Sequence, residues 1–560
     1  MVIYQVYARS FCDHNRDGVG DLAGITQKLP YLKSLGVEAV WVSPFFVSPM
    51  RDFGYDVADH RAVDPQFGSM ADFDIMLGAA RALGLGIVLD LVLSHTSDHH
   101  PWFDDSRARR NGRDDWYVWA DARPDGSPPN NWCSVFGGPA WRWDTLRRQY
   151  YLHQFLDTQP DLNLHHRDVQ DQLLADIEFW LAKGVAGIRL DACNHYFHDL
   201  QLRDNPPAGL GHRALHPYGF QQHKYDKNRP QVGAFLARIR ELLDRYDAFS
   251  IGEVGGTGAL KFMVEYTKPG RLHSVYNRDF LRPECDVKGI RRVLAALERK
   301  VPTADAICHS LSNHDKPRVV TRWGMGKDPV AHAKQMLALL ACFKGHICIY
   351  QGEELGLPEA EVPFEALQDP FGKRMWPRFK GRDGCRTPMP WTTAAGVGFS
   401  DAMPWLPVDP RHRALSVAAQ DHDPDSALNF TRQILALRAR QPELRTGALT
   451  LPRAPADVLS IVRSTGNSVL RCDFNLGHAT RRVRSGPGAV LILGQGAVSD
   501  ADSVVLAPSG FRVAQMTLAG GIVPRVTPAI PRVRDLAASK ACATRAKAAA
   551  GATPWSCVED

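Results

Sequence analysis

The feature that most constrains this chain is a serial alternation of buried β runs with amphipathic helical stretches. Apolar runs lie at 2–8 (VIYQVYA), 37–43 (VEAVWVS), 86–93 (GIVLDLVL), 185–190 (VAGIRL), 249–254 (FSIGEV), 306–311 (AICHSL) and 346–350 (HICIY), with a weaker one near 272–276. Helical patterns lie between most of them, at 24–35, 70–83, 168–183, 230–246, 288–300 and 328–343. Strands followed by helices in series build a parallel sheet, and about eight such units predict a closed (β/α)₈ barrel.

Two segments break the alternation. Residues 96–165, after the third strand, are rich in Trp, Asn, Pro and Gly, and predict an inserted subdomain at the barrel mouth. Residues 355–423 form a second irregular stretch after the eighth strand. From about 446 the pattern changes to short strands without helices, which predicts a C-terminal antiparallel β-sandwich. The expected organisation is therefore a barrel from 1–95 and 166–445, an insertion at 96–165, a β domain at 446–514, and a poorly ordered Ala/Pro/Lys/Arg-rich tail at 515–560.

With 560 residues the chain exceeds what one core usually holds. A formal net charge of +6, with basic residues scattered among similar numbers of acids, gives no case for a nucleic-acid partner. No uncharged apolar run reaches membrane-spanning length, and the first residues lack the pattern of a secretory signal. The 11 cysteines are odd in number, dispersed, and contain no CxxC pair. A reducing, cytoplasmic location is expected, with no disulfide framework or zinc ribbon. The paired histidines His99/His100 and His165/His166 lack a third ligand at metal spacing. The "GGTG" at 255–258 lacks phosphate-loop spacing.

The opening loop "DHNRDGVGDL" carries Asp13, Asn15, Asp17 and Asp21. It begins like a calcium-binding EF-hand, with Gly18 at position 6, but position 12 is Gly24 rather than a bidentate Glu, and a strand precedes it. What is left is either a polar turn or a cradle of hard oxygen ligands for Ca²⁺ or Mg²⁺.

In a (β/α)₈ barrel the C-terminal strand ends face the active site. Strand three there carries Asp90 and His95, strand four Arg189 and Asp191, strand five Glu253, and strand seven His314 and Asp315. Arg189 and Asp191 are two apart and share a face, so the arginine should hold the aspartate ionised. Glu253 follows an apolar strand with no basic residue within four positions, so desolvation should leave it protonated. One carboxylate charged and one neutral is the arrangement of a glycosidase nucleophile and acid.

These stretches carry a resemblance. "DLVLSH" (90–95), "GIRLDACNH" (187–195), "GEV" (252–254) and "LSNHD" (311–315) resemble the motif regions of the α-amylase family, glycoside hydrolase family thirteen. "QPDLN" (159–163), "DFGYD", "YQGEELG" and "RTPMPW" resemble its α-glucosidase and oligo-1,6-glucosidase branch. The resemblance spans roughly residues 2–512. It implies Asp191 as nucleophile, Glu253 as acid/base and Asp315 as the third carboxylate, with Arg189 supporting Asp191. It further implies that His95, His314, Asp52, Tyr55 and Arg386 bind the non-reducing-end glucose. At the opening loop it implies a structural Ca²⁺ or Mg²⁺ held by Asp13, Asn15, Asp17, Asp21 and the Val19 carbonyl, and no organic cofactor.

The resemblance thus implies a retaining, exo-acting α-glucosidase. Its substrates would be short α-glucosides, and transfer to acceptors could accompany hydrolysis. Ala192 after the nucleophile points to α-1,4 links. Isomaltase, trehalose synthase and sucrose hydrolase share most of the motifs and stay open, as does a non-enzymatic binding protein of the transporter-ancillary type. Monomer and homodimer are equally open. One departure is Ser94, where the family has Asn before the histidine.

Overall fold

The computed structural model describes residues 1–209 and 217–517, apart from 257, 285, 302, 487 and 501. Eight parallel strands close a barrel: β1 (Val2–Val6), β2 (Ala39–Val42), β3 (Gly86–Leu91), β4 (Gly187–Leu190), β5 (Phe249–Val254), β6 (Ser274–Asn277), β7 (Ile307–His309) and β8 (His346–Tyr350). Each pairs with its sequence neighbours, and β8 returns to β1 with Val2 opposite Ile347. The weak run near 272–276 is thus a true strand. The segments between fold as α1 (Leu22–Leu35), α2 (Met70–Ala82), α3 (Arg167–Lys183), α4 (Val232–Asp244), α5 (Ala259–Tyr266), α6 (Val287–Lys300) and α7 (Pro329–Ala341).

Strand alternation sorts the side chains into two cores. Leu89, Leu91, Ile188 and Leu190 face outward into the layer between strands and helices. Ile3, Trp41, Val88, Ile251 and Tyr276 fill the interior. Towards the C-terminal strand ends that inner series continues with Asp90, Arg189 and Glu253, and the interior changes from apolar to charged.

The insertion folds as a small sheet of Trp119–Ala120, Trp141–Asp144 and Gln149–Leu152. Its tryptophans are mostly packing residues. Trp116, Trp132 and Trp141 are buried, while Trp143 is exposed. "QPDLN" is bonded to the end of β3: Leu162 N–H donates to the Ser94 carbonyl and Thr96 N–H to the Pro160 carbonyl. His100 and His166 each accept a backbone N–H at the start of a helix, which is a capping role.

The irregular stretch after β8 leads into α8 (Ala427–Arg440). Beyond it come β9 (Ala448–Thr450), β10 (Val458–Thr465), β11 (Ser468–Asn475), β12 (Arg481–Arg484), β13 (Val490–Asp500) and β14 (Ser503–Met516). They form one six-stranded antiparallel sheet. Strand β14 bends near Ser509, at φ +57°; its first half pairs with β12 and its second with β11. This strand runs two residues past 514, and the expected tail otherwise lies outside the described residues.

Two buried arginines join this sheet to the barrel. Arg438 of α8 donates to the carbonyls of Ala341, Phe343, Leu444 and Gly345. Arg463 of β10 donates to those of Cys342, Leu444 and Gly447. They satisfy backbone acceptors at and just past the C-terminus of α7 and at Leu444 and Gly447, which would otherwise be buried unpaired. Arg463→Leu removes the arginine donor from the Cys342 and Gly447 carbonyls, leaves Leu444 to Arg438 alone, and should lower stability by about 2–5 kcal/mol. A fall in the thermal midpoint with kcat unchanged per folded molecule is expected; an unaltered midpoint would show that the joint carries no load.

Candidate active site

The site is built around Arg189, which is 1% exposed. Its Nη1 donates to Asp90 Oδ1 at 2.6 Å and to Asp191 Oδ1 at 2.7 Å. Its Nη2 donates to Glu253 Oε2. Arg189 therefore places Asp191 and Glu253 in one cavity on adjacent arms of one planar fork. Asp90 is fixed further by Trp41 Nε1 at 3.1 Å and the Tyr55 hydroxyl at 2.9 Å. The guanidinium lies 4.9 Å from the Trp41 ring.

Glu253 has a second cation that the sequence reasoning missed. Arg278, one residue past β6, brings Nη1 to 2.7 Å from Oε1. Burial pushes the Glu253 carboxyl up, but the charges of Arg189 and Arg278 outweigh it, and the group lies below its ordinary value. This corrects the expectation of an uncharged acid in apolar surroundings. A search for basic residues along the strand could not find a partner from the next one. Asp191 moves the opposite way. Burial raises it well above the usual range against the charge of Arg189, and the charges of Glu253 and Asp90 add to the rise. The three carboxylates share one guanidinium and titrate as a cluster, in which Asp191 takes up a proton more readily than Glu253.

Asp315 lies at the end of β7. Burial opposes its charge, yet His314, Arg382 and Arg386 hold it well below the carboxylate range. Arg382 also binds Asp52 Oδ1 at 2.7 Å and Asp369 Oδ1 at 2.8 Å. Gln159 of "QPDLN" donates to the other oxygen of Asp52 at 3.1 Å. Burial raises the Asp52 carboxyl despite Arg382.

Arg386 stands differently from expectation. It is 1% exposed and does not line the cavity. It braces Asp315 from behind at 3.1 Å and donates to the His314 carbonyl at 2.7 Å. Of the two arginines in the "GRDGCRTPMPW" loop, the one that lines the cavity is Arg382, four residues earlier.

The two histidines are neutral, with burial lowering His95 to about 4 and His314 to about 3. His314 Nε2 donates to the Tyr55 hydroxyl at 2.7 Å, leaving Nδ1 to accept from Gln5 at 2.7 Å. His95 Nε2 donates to the Tyr55 carbonyl at 3.0 Å, and Nδ1 meets the Ser94 hydroxyl at 2.9 Å. Both nitrogens of His95 are thus engaged within the protein, and Ser94 supports it directly.

Asp52, Tyr55, His95, Asp191, Glu253, Arg278, His314, Asp315 and Arg382 line one cavity of about 650 Å³. Phe136, Phe155, Phe371 and Phe379 line it too.

The opening loop lies apart from this cavity. Asp13 accepts from Arg16 N–H at 2.6 Å, Gly18 N–H at 2.8 Å and the Ser400 hydroxyl at 2.5 Å. Asp17 accepts from Val19 N–H at 2.8 Å, and Asn15 from Asp17 N–H at 3.0 Å. Asp21 caps α1 through Gly24 N–H at 2.6 Å. The donor chemistry suits a hard cation. However, no three His, Cys, Asp or Glu side chains converge in metal-holding geometry among the described residues. Gly18, at φ +92°, packs so closely on the Met403 carbonyl that a Cβ would sit 2.2 Å from it.

A parallel barrel with carboxylates on an arginine fork at its C-terminal end defines the class of α-glycoside-processing (β/α)₈ enzymes. The family model described as alpha amylase, catalytic domain, matches residues 5–447. The chain belongs to the α-amylase family. It is 51% identical over 487 residues to a probable alpha-glucosidase of Rhizobium meliloti (strain 1021), covering 85% of this chain and 88% of that protein. It is 36% identical over 479 residues to an oligo-1,6-glucosidase of Heyndrickxia coagulans, covering 78% and 84%. The crystal structure of the alpha-glucosyl transfer enzyme XgtA superposes with a TM-score of 0.89 at 47% identity, covering 92% of this chain and 98% of that one.

The second guanidinium on Glu253 has a measurable consequence. Arg278→Gln removes a charge that favours the ionised form, so the Glu253 pKa must rise. The limb of the kcat/KM profile that reports Glu253 is expected to move to higher pH, by about one unit. A limb that stays in place or moves down would remove Arg278 from that role.

Proposed function

We propose that this protein is a retaining, exo-acting α-glucosidase that releases glucose from the non-reducing end of short α-glucosides and transfers it to acceptors when these outcompete water. The observation that carries the proposal is the shared fork: Asp191 and Glu253 bind adjacent nitrogens of Arg189. That closeness suits double displacement, for which the two carboxyl groups stand about 5 Å apart.

Asp191 attacks the anomeric carbon while Glu253 protonates the leaving oxygen. The covalent β-glucosyl enzyme is then opened by water or an acceptor hydroxyl, with Glu253 as base. The ligand-free proton balance must invert for the first step. The proton must sit on Glu253 before bond cleavage begins, because Asp191 attacks as the carboxylate, and its charge then stabilises the positive charge developing on the sugar ring. Asp315 and Asp52, with Arg382 between them, supply acceptors for the hydroxyls of the terminal glucose. The four phenylalanines lower the water content at the mouth, which favours transfer. Ala192 supports α-1,4 links. The free, mostly buried cysteines among the described residues suit a reducing compartment.

Asp191→Asn should lower kcat on a nitrophenyl α-glucoside by roughly 10³-fold or more, about 4 kcal/mol of barrier. Turnover near that of the wild type would remove the assignment. NMR of the first product should show α-glucose; β-glucose would exclude retention. Maltose, isomaltose, sucrose and trehalose offered in parallel separate this reading from isomaltase, trehalose synthase and sucrose hydrolase.

A Ca²⁺ or Mg²⁺ at the opening loop is part of the same reading. Asp13, Asn15, Asp17, Asp21 and the Val19 carbonyl would hold it, tying β1 to the start of α1. A chelator should lower the thermal midpoint, and Ca²⁺ or Mg²⁺ should restore it. An unchanged midpoint would leave the loop as a self-capped turn.

A further inference from the structure

We propose that the acceptor half of the cavity is built for an anion: a small hydroxyl-bearing molecule carrying a phosphate or a carboxylate. The inference rests on the α-glucosidase reading, and it concerns what occupies the leaving-group side. Four cationic side chains, Lys227, Arg278, Arg282 and Lys316, line the same cavity as Glu253. Lys227 Nζ lies against Gly256, three residues past the acid/base, where a Cβ would sit 3.4 Å from it. Lys316 directly follows Asp315 in the chain.

The acids facing this patch are already committed. Glu253 is held by Arg189 and Arg278. Asp279 pairs with Arg282 at 2.7 Å. Asp315 pairs with Arg382 and Arg386. Asp226, beside Lys227, bonds His223 at 2.6 Å. Two ammonium groups are left over. Lys227 meets the Tyr218 hydroxyl at 2.6 Å. The Lys316 ammonium makes no hydrogen bond or ion pair among the described residues. The cations also oppose one another. Burial depresses Lys227 to about 8 and lowers Lys316 as well; the charge of Arg278 adds to both, while Asp226 supports Lys227 and Asp315 supports Lys316. A patch of partly desolvated like charges is unfavourable when empty and relieved by an anion. A neutral sugar at this position would leave it uncompensated.

In the transfer step the acceptor hydroxyl attacks the anomeric carbon of the glucosyl enzyme, and the bond to Asp191 breaks. The hydroxyl proton passes to Glu253, and the anionic group of the acceptor stays unreacted beside the lysines. The same site would admit an α-glucoside with an anionic aglycone for hydrolysis.

The test uses the full chain with maltose as donor and matched acceptor pairs: glucose against glucose 6-phosphate, and glycerol against glycerate. The readout is the ratio of transfer efficiencies, anionic over neutral, in the wild type and in Lys316→Gln and Lys227→Gln. A wild-type ratio of about ten or more is expected for at least one pair. That ratio should fall with added salt and drop towards one in Lys316→Gln. The phosphate and carboxylate arms show which anion fits. A ratio of one or below in both pairs overturns the proposal, as does a high ratio that Lys316→Gln and Lys227→Gln both leave intact. Failure to cleave any neutral α-glucoside would instead overturn the underlying α-glucosidase reading.

Discussion

One guanidinium organises this active site. Arg189 reaches three carboxylates from three adjacent strands, and all four side chains are largely removed from water. Burying such charges is costly unless each finds a partner with good geometry, and a planar fork with several donors provides it. One positive charge cannot balance three negative ones. Arg278 supplies a second, and burial with the residual imbalance favours protonation within the cluster. A double displacement needs such a proton, bound tightly enough to persist and loosely enough to change owner. Arg189 therefore shapes the site and also poises its charge.

The rest of the cavity is assembled from distant parts of the chain. Arg382 and Arg386 arrive on the loop after β8 and meet Asp315 from two sides, one within the cavity and one behind it. Asp52, from the loop after β2, is gripped by that same Arg382 and by Gln159 of the inserted subdomain. The barrel thus fixes Asp90 and Glu253 on strands and Asp191 one residue past β4, while loops bring Asp52, Asp315 and Arg382 to the same cavity. Rigid placement of the chemistry with loop-built recognition is the general economy of this fold.

The barrel and the charged residues at its C-terminal strand ends were legible because both depend on local pattern. Apolar runs mark strands, a period of two sets which residues face inward, and the strand-end rule then points to Asp90, Arg189, Asp191, Glu253 and Asp315. What escaped depends on contacts between distant segments. Arg278 ends the weakest strand signal, near 272–276, and its effect on Glu253 crosses from one strand to the next. For that reason the protonation expected of Glu253 came out reversed. Arg382 and Arg386 sit in an irregular loop, where periodicity says nothing about direction, and the one facing the cavity is the one not singled out. The opening loop shows the same limit: its oxygen donors are visible in the sequence, but their commitment to backbone N–H groups is not.

The closure of the barrel between β1 and β8 has a consequence for how the chain acquires its shape. The second residue pairs with residue 347, so β1 has an unpaired edge until nearly the whole barrel has left the ribosome. At 5–20 residues per second, that leaves roughly 20–70 s in which an apolar, two-sided strand must wait for its neighbour. During synthesis that edge of the first strand is a ready template for pairing with other nascent chains until the ring is complete.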